Sequence, residues 1–188
     1  MKTVKLSEKY KKEVIPAMKK KFGYSNDMAV PRIKKVIVNC GFGRQIAGKT
    51  GKEREKIQNH ILQELALLAG QKPALRKAKK SISSFKLRKG MPVGAVVTLR
   101  GKKMYDFLER LILITFPRTR DFRGIDPKLI DQKGNLSLGF KEHTSFPEIS
   151  AEKEKSIFGL EITIVTSAKN KEEGTELLRL MDFPIQEK

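Results

Sequence analysis

Residues Gly43 to Thr50 read GRQIAGKT, which meets the spacing G-x-x-x-x-G-K-T immediately after an apolar run. That spacing suits phosphate chemistry. A helix beginning at the second glycine aims its amides and the lysine at the phosphates, and the threonine reaches magnesium. Here Gly51 falls in the first turn of such a helix, and neither LILITFPR nor GLEITIVTSA ends in the aspartate that would be the second magnesium anchor. The segment is therefore read as a glycine-rich loop whose lysines touch RNA, with a phosphate-loop nucleotide hydrolase using Gly43 to Thr50 as the alternative. His60 precedes Glu64 by one helical turn, which predicts a surface pair, and His143 falls in a polar loop. Cys40 follows an apolar alternation and is read as a small buried hydrophobe. No Ser, His and Asp grouping stands out. One cysteine and two histidines cannot build a four-ligand structural zinc site without carboxylates. No catalytic residue, metal or cofactor is expected.

The charge points elsewhere. The 188 residues hold 40 Lys plus Arg against 21 Asp plus Glu, a net +19. The excess lies in residues 1 to 103, with 27 basic residues and 6 acids; residues 104 to 188 carry 13 and 15. Between Glu64 and Asp106, 41 consecutive residues contain no carboxylate and 11 basic residues, eight of them from Lys72 to Lys89. Solvated faces ordinarily mix signs, so this run is the footprint of a polyanionic partner. KPALRKAKKSISSFKLRKG lacks the apolar helical face that a membrane surface would need, which leaves nucleic acid. Phe85, Phe116, Phe122 and Phe146 stand among basic or polar residues and could stack on bases; one or two at most are expected to be exposed. The charged N-terminus has no apolar signal region, and no stretch approaches the roughly 18 apolar residues of a spanning helix. With a lone cysteine, a reducing, cytosolic compartment is expected.

The elements that must position these residues follow from periodicity. Leu6, Tyr10, Val14, Ala17 or Met18, and Lys21 or Phe22 are spaced for one helical face that ends at Gly23, with Ser7 as cap and Pro16 marking a kink or early turn. RIKKVIVNCGFG predicts a strand with Val36, Val38 and Cys40 on one side and Lys35, Ile37 and Asn39 on the other. Ile57, Ile61, Leu62, Leu65 and Leu68 predict a helix that stops at Gly70. The basic stretch holds two further extended candidates before GMPVGAVVTLRG, a strand with Val93, Ala95, Val97 and Leu99 inward and Val96, Thr98 and Arg100 outward. Met104, Phe107, Leu108, Leu111 and Ile112 predict a helix ended by Pro117. GNLSLGFKEH and GLEITIVTSA predict two more strands, and Asn170 with Glu173 a capping box for the last helix. Strands broken by helices without regular βα alternation give an α+β class. Residues 1–188 are treated as one RNA-binding domain, with 41–52 and 72–86 as mobile loops.

Several strings, in order, carry a family resemblance: VPRIKKVIVNCGFG, LAGQKPALRKAKKSISSFKLRKGMPVGAVVTLRG, MYDFLERLILITFPRTRDFRG, GNLSLGFKEHTSFPEI and GLEITIVTSAKNKEEGTELL. From about Leu6 to Pro184 the chain resembles the bacterial-type large-subunit ribosomal protein L five family. The resemblance implies an antiparallel sheet with helices on one face and a protruding basic loop. It also implies a place in the central protuberance of the large ribosomal subunit, with 5S rRNA, large-subunit rRNA and other central-protuberance proteins as partners. A basic loop would reach the P-site tRNA, and a turn would touch a small-subunit head protein of the S thirteen family. No membrane partner and no homo-oligomer are implied. The family is variable where this chain has RQIAGKTGKERE, which further weakens the nucleotide reading.

For 5S rRNA, the outward strand positions supply Lys35, Asn39, Thr98 and Arg100, and the resemblance adds Gln71 and Lys72. Asn and Gln suit base edges or sugar; Lys and Arg suit phosphates. For tRNA, the resemblance points to Arg76, Lys77, Lys79, Lys80, Ser81 and Lys86. For the small-subunit contact it points to Arg118, Arg120, Asp121 and Arg123, with an internal ion-pair network around Asp121 as the competing role. A general RNA chaperone is the other alternative.

Overall fold

The computed structural model describes residues 5–120, 122–149 and 157–186. The alternation in Ile33–Gly41 makes it a strand, β1, with Val36, Val38 and Cys40 buried, Asn39 exposed, and Lys35 and Ile37 partly exposed. β2 (Ala74–Lys77), β3 (Pro92–Leu99), β4 (Leu136–Phe140) and β5 (Leu160–Thr166) complete a five-stranded antiparallel sheet in the order β2-β3-β1-β5-β4. Ala95, Val97 and Leu99 of β3 and Leu160, Ile162 and Ile164 of β5 are buried, as their alternation predicts. Gly94 has a steric reason: a Cβ there would stand 2.9 Å from the Cys40 carbonyl oxygen, so only glycine lets β3 lie this close to β1. Helices pack against the sheet, an α+β architecture.

Two helices differ from expectation for one shared reason. The N-terminal run comprises Leu6–Lys9, a π-segment Tyr10–Val14 and Ile15–Phe22. A later run comprises Gly101–Arg110, a π-segment Leu111–Thr115 and Phe116–Arg118. Proline lacks an amide hydrogen and collides with the carbonyl four residues back. A wide turn just before it removes the conflict: the Ile15 amide reaches back to Tyr10 and the Phe116 amide to Leu111. Pro16 and Pro117 are thus carried within helix, and Pro117 does not end its helix. The end comes after Arg118, where the amide and hydroxyl of Thr119 donate to the Thr115 carbonyl at 3.0 and 2.8 Å. Ser7 is not a cap; Lys5 holds that position, and the Leu6 amide donates to the Glu109 carboxylate instead.

The long helix Gly51–Ala69 ends at Gly70 (φ 61°), a left-handed turn that glycine adopts without strain. The last helix, Lys171–Leu180, starts after Asn170, but no capping box forms: the Asn170 side chain makes no cap bond, and Glu173 accepts from the Lys169 amide at 2.9 Å. Gly174 of this helix meets Gly134 so closely that a Cβ would lie 2.3 Å from the Gly134 Cα.

The chain divides into two compact units: the described residues of Met1–Val36, Leu99–Leu138 and Thr163–Lys188, and those of Ile37–Thr98 and Gly139–Ile162. The core of the first includes Val14, Met18, Leu99, Phe107, Leu108, Leu111, Ile164 and Leu177. That of the second includes Val38, Phe42, Ile46, Ile61, Leu65, Leu68, Val97 and Ile162. Burying each such side chain favours folding by roughly 1.5–3 kcal/mol.

Candidate nucleic-acid interface

In the second unit the basic stretch is a hairpin. Backbone pairing sets Ala74 opposite Val96, Leu75 opposite Ala95, Arg76 opposite Gly94 and Lys77 opposite Pro92, with an irregularity between Arg76 and Lys77. All four residues of β2 are exposed. Beyond it, Ala78 exchanges backbone bonds with Met91 and Gly90, and Ile82 pairs with Leu87 through bonds of 3.0 and 3.1 Å. This pairing is the second extended element expected there. The tip is a turn in which the Lys86 amide donates to the Ser83 carbonyl at 2.9 Å and Lys86 takes φ 52°. Ser81 Oγ accepts from the Lys89 amide at 2.9 Å. Arg76, Lys77, Lys79, Lys80, Ser81 and Lys86 are therefore all exposed, brought together on one extended hairpin.

At the base of this hairpin, the left-handed Gly70 releases the chain from the long helix and presents Gln71 and Lys72, both exposed. Gln71 Nε2 donates to the Thr98 carbonyl at 3.4 Å, so the structure joins two of the residues assigned to 5S rRNA. Asn39 is exposed on β1 and Thr98 partly exposed on β3, each on the side its alternation predicts. Phe85 at the hairpin tip is 62% exposed, whereas Phe116 and Phe146 are buried and Phe122 is partly buried.

The first unit holds the remaining candidates. Lys35 is partly exposed on β1, and Arg100 is exposed where β3 ends, immediately before Gly101 (φ 56°) starts a helix. Arg118, Arg120 and Arg123 are exposed; near them Phe116 and Phe122 stack with centroids 4.8 Å apart, and Gln186 Nε2 donates to the Arg123 carbonyl at 2.9 Å. Asp121, and with it the expected ion-pair network, lies outside the described residues.

The backbone does not support the phosphate-loop match. Gly43–Ile46 forms a helical turn at once, and the long helix starts at Gly51, beyond both Lys49 and Thr50. Thr50 is its cap: its amide and hydroxyl both donate to Glu53 Oε2 at 3.0 Å. The hydroxyl that would reach magnesium is committed. Those bonds, the amide's first, hold the Glu53 carboxyl below the ordinary carboxylate range. Cys40 is buried, and burial pushes its thiol up to about 12, so it is no nucleophile.

The histidines need correction. His143 is fully buried, stacked on Phe158 with centroids 3.8 Å apart, rather than lying in a solvated loop. Its Nδ1 accepts from the Phe158 amide at 3.4 Å, and Nε2 faces Glu64 Oε2 at 2.8 Å. Glu64 Oε1 lies 3.0 Å from His60 Nε2. The expected pair is thus one half of a His–Glu–His arrangement that ties residues 143–145 to the long helix. A separation of 79 positions hides this from the sequence. Among the described residues there is no group of three or more His, Cys, Asp or Glu able to hold a metal, and no helix long and apolar enough to cross a membrane.

The candidate surface is thus an exposed cationic hairpin beside a strand surface, and among the described residues it carries no catalytic constellation. Residues 26–88 match the family model described as ribosomal protein L5, and residues 92–185 match the model of the same ribosomal family's C-terminus. A Geotalea daltonii protein named large ribosomal subunit protein uL5 is 53% identical over 182 residues, 97% of this chain and 98% of the relative. A protein of the same name from Halothermothrix orenii is 50% identical over 182 residues, again 97% and 98% of the two chains. One from Desulforapulum autotrophicum is 51% identical over 181 residues, 96% of this chain and 98% of its own. The chain belongs to the ribosomal protein L5 family and is a structural, RNA-binding protein of translation, not an enzyme.

Proposed function

We propose that this chain is a constituent of the large subunit of the cytoplasmic ribosome that grips 5S rRNA in the central protuberance and meets the P-site tRNA through its basic hairpin. The observation that carries the reading is the hairpin itself. Within 41 residues free of acids, it holds its exposed cations on paired backbone. Such a surface attracts any RNA backbone through phosphates and reads little sequence, so it accepts every tRNA. Asn39, Gln71, Lys72 and Thr98, with Lys35 and Arg100 of the first unit, serve 5S rRNA. Arg76, Lys77, Lys79, Lys80, Ser81 and Lys86 serve tRNA. Arg118, Arg120 and Arg123, with Asp121, serve a small-subunit head protein of the S thirteen family, a role supported by the exposure of the three arginines beside the Phe116–Phe122 stack.

Filter binding of 5S rRNA and of a tRNA to matched variants tests the division of labour. Asn39→Ala and Arg100→Ala are expected to weaken 5S rRNA binding, and joint neutralisation of Lys77, Lys79 and Lys80 to spare it while weakening tRNA binding. Equal losses with both RNAs would merge the two sites. A general chaperone would instead bind unstructured RNA of equal length as well as 5S rRNA.

A further inference from the structure

Two clefts of the second unit flank Lys86. One, of about 740 Å³, is bordered by Gly48, Arg54, Ser81, Ser83, Lys86 and Arg88. The other, of about 720 Å³, is bordered by Gly43, Arg44, Ala47, Phe85 and Lys86. Each has room for a nucleotide. Among the described residues neither is bordered by an acid; Glu53, in the same turn as Arg54, is committed to Thr50.

Three features of this place call for an anionic occupant. Arg54 borders the first cleft, and its buried Nε finds no hydrogen-bond partner among the described residues, so no described acceptor holds that nitrogen. Lys86 holds a left-handed backbone (φ 52°) that non-glycine residues avoid, and this conformation sets its side chain beside Gly48, where a Cβ would stand 3.9 Å from Lys86 Cδ and 4.0 Å from Nζ. Like charges gathered in a concave site repel one another unless a polyanion compensates them. On the neighbouring side, Phe85 exposes 62% of its surface, a large aromatic face next to Arg44 and Lys86. A guanidinium and an aromatic ring beside a phosphate-seeking lysine are the groups that hold an unstacked base. The segment whose spacing imitates a phosphate loop thus supplies one wall of both clefts, through Gly43, Arg44, Ala47 and Gly48.

We propose that the paired clefts at Lys86 hold one unpaired RNA nucleotide, its phosphate among Arg54, Lys86 and Arg88 and its base against Phe85. The proposal deepens the assignment of this hairpin to RNA and rests on that reading. It adds a defined subsite, gives the exposed Phe85 a specific place in it, and adds Arg44, Arg54 and Arg88 to the residues already assigned to RNA. The nucleotide can come from a tRNA or from 5S rRNA, since the recognised chemistry is the same.

The test uses the full-length chain and a 5′-phosphorylated single-stranded hexanucleotide carrying 2-aminopurine, whose fluorescence falls on stacking. Binding is expected to quench the probe. Phe85→Leu, at an exposed position, should abolish the quench and weaken binding about tenfold. Arg54→Gln should weaken it about tenfold as well, whereas Lys56→Ala, which removes an exposed cation of the same helix outside both clefts, should cost less than threefold. Far-ultraviolet circular dichroism of each variant checks that the fold is retained. Salt-sensitive binding without quench, or equal losses for Arg54→Gln and Lys56→Ala, would overturn the subsite while leaving the electrostatic role of the hairpin intact. Displacement of the probe by tRNA or by 5S rRNA identifies the source. Quenched probe that tRNA does not displace would keep the subsite and remove the tRNA assignment.

Discussion

Gly174→Ala is the sharpest test of the packing, because two general effects predict opposite signs. In an exposed helix, alanine is favoured over glycine by about 1 kcal/mol. Gly174 is buried, however, and its ideal Cβ would lie 2.3 Å from the Cα, 2.6 Å from the carbonyl oxygen and 2.9 Å from the carbonyl carbon of Gly134. Carbon atoms settle about 3.5 Å apart or more, so the two backbones must separate by roughly 1 Å. No flexible side-chain end can yield, since the nearest atoms are backbone. Gly134 is itself constrained, with φ 74° and a would-be Cβ 2.8 Å from that of Ala168. Overpacking costs about 1–3 kcal/mol, and a backbone-on-backbone clash belongs at the upper end. Subtracting the propensity gain leaves a net loss of about 2 kcal/mol, or roughly 4–8 °C in Tm for a chain this long. Thermal unfolding followed by circular dichroism measures it. Gly139→Ala, where nothing lies within 4 Å, is the control and should be neutral or mildly stabilising. An unchanged or raised Tm for Gly174→Ala refutes the close approach.

Other expectations concern RNA and protons. If Lys35, Lys72 and Arg100 each neutralise one phosphate of 5S rRNA, log affinity should fall with log salt at a slope of about −2 to −3; titration at several salt concentrations decides, and a flat slope defeats the electrostatic account. Cys40 should resist iodoacetamide at pH 8 in the native chain and react once the chain is unfolded in urea; comparable native labelling would contradict its burial and its raised thiol pKa. For Asp131, burial alone would raise the carboxyl, but bonds from Asn135 and the Lys133 amide outweigh it and leave it lowered, as Glu53 is lowered by Thr50. Both folded pKa values lie below the ordinary 3.8 and 4.5, so both groups favour folding above those values and lose that contribution as acid protonates them. The double variant Glu53→Gln, Asp131→Asn should flatten the fall in denaturation midpoint below pH 4.5; an unchanged slope would remove these carboxyls from the acid response.

The strands were the most legible part of the chain. β1, β3 and β5 bury one face, and a period of two shows directly which residues those are. The helices were legible in their apolar faces and less so at their ends. Pro117 reads as a stop because an ordinary helix cannot accommodate it; a π-segment, with no signature in residue type, carries the helix past it. Thr50 with Glu53 is a threonine and glutamate at capping-box spacing, a local signal concealed by the stronger phosphate-loop pattern overlapping it. Asn170 with Glu173 shows the same spacing without the box, because the glutamate bonds one residue further back. At the interface, exposure of the cations followed from the acid-free run. The grouping of Arg54 with Lys86 and Arg88 did not, since it depends on how the hairpin tip turns toward residues 43–54.

Among the described residues β2 stands at the edge of the sheet, all four of its residues exposed and one side of its backbone unpaired. Such a margin is an invitation to a second chain, and its defence here is electrostatic: Arg76, Lys77, Lys79 and Lys80 repel an identical edge, and the irregular register at Arg76 and Lys77 spoils a flat template. The cations assigned to RNA thereby also keep the free protein dispersed before it is assembled. Variants that strip those charges will lose solubility together with affinity, and RNA will protect the native chain against self-association by occupying the same border.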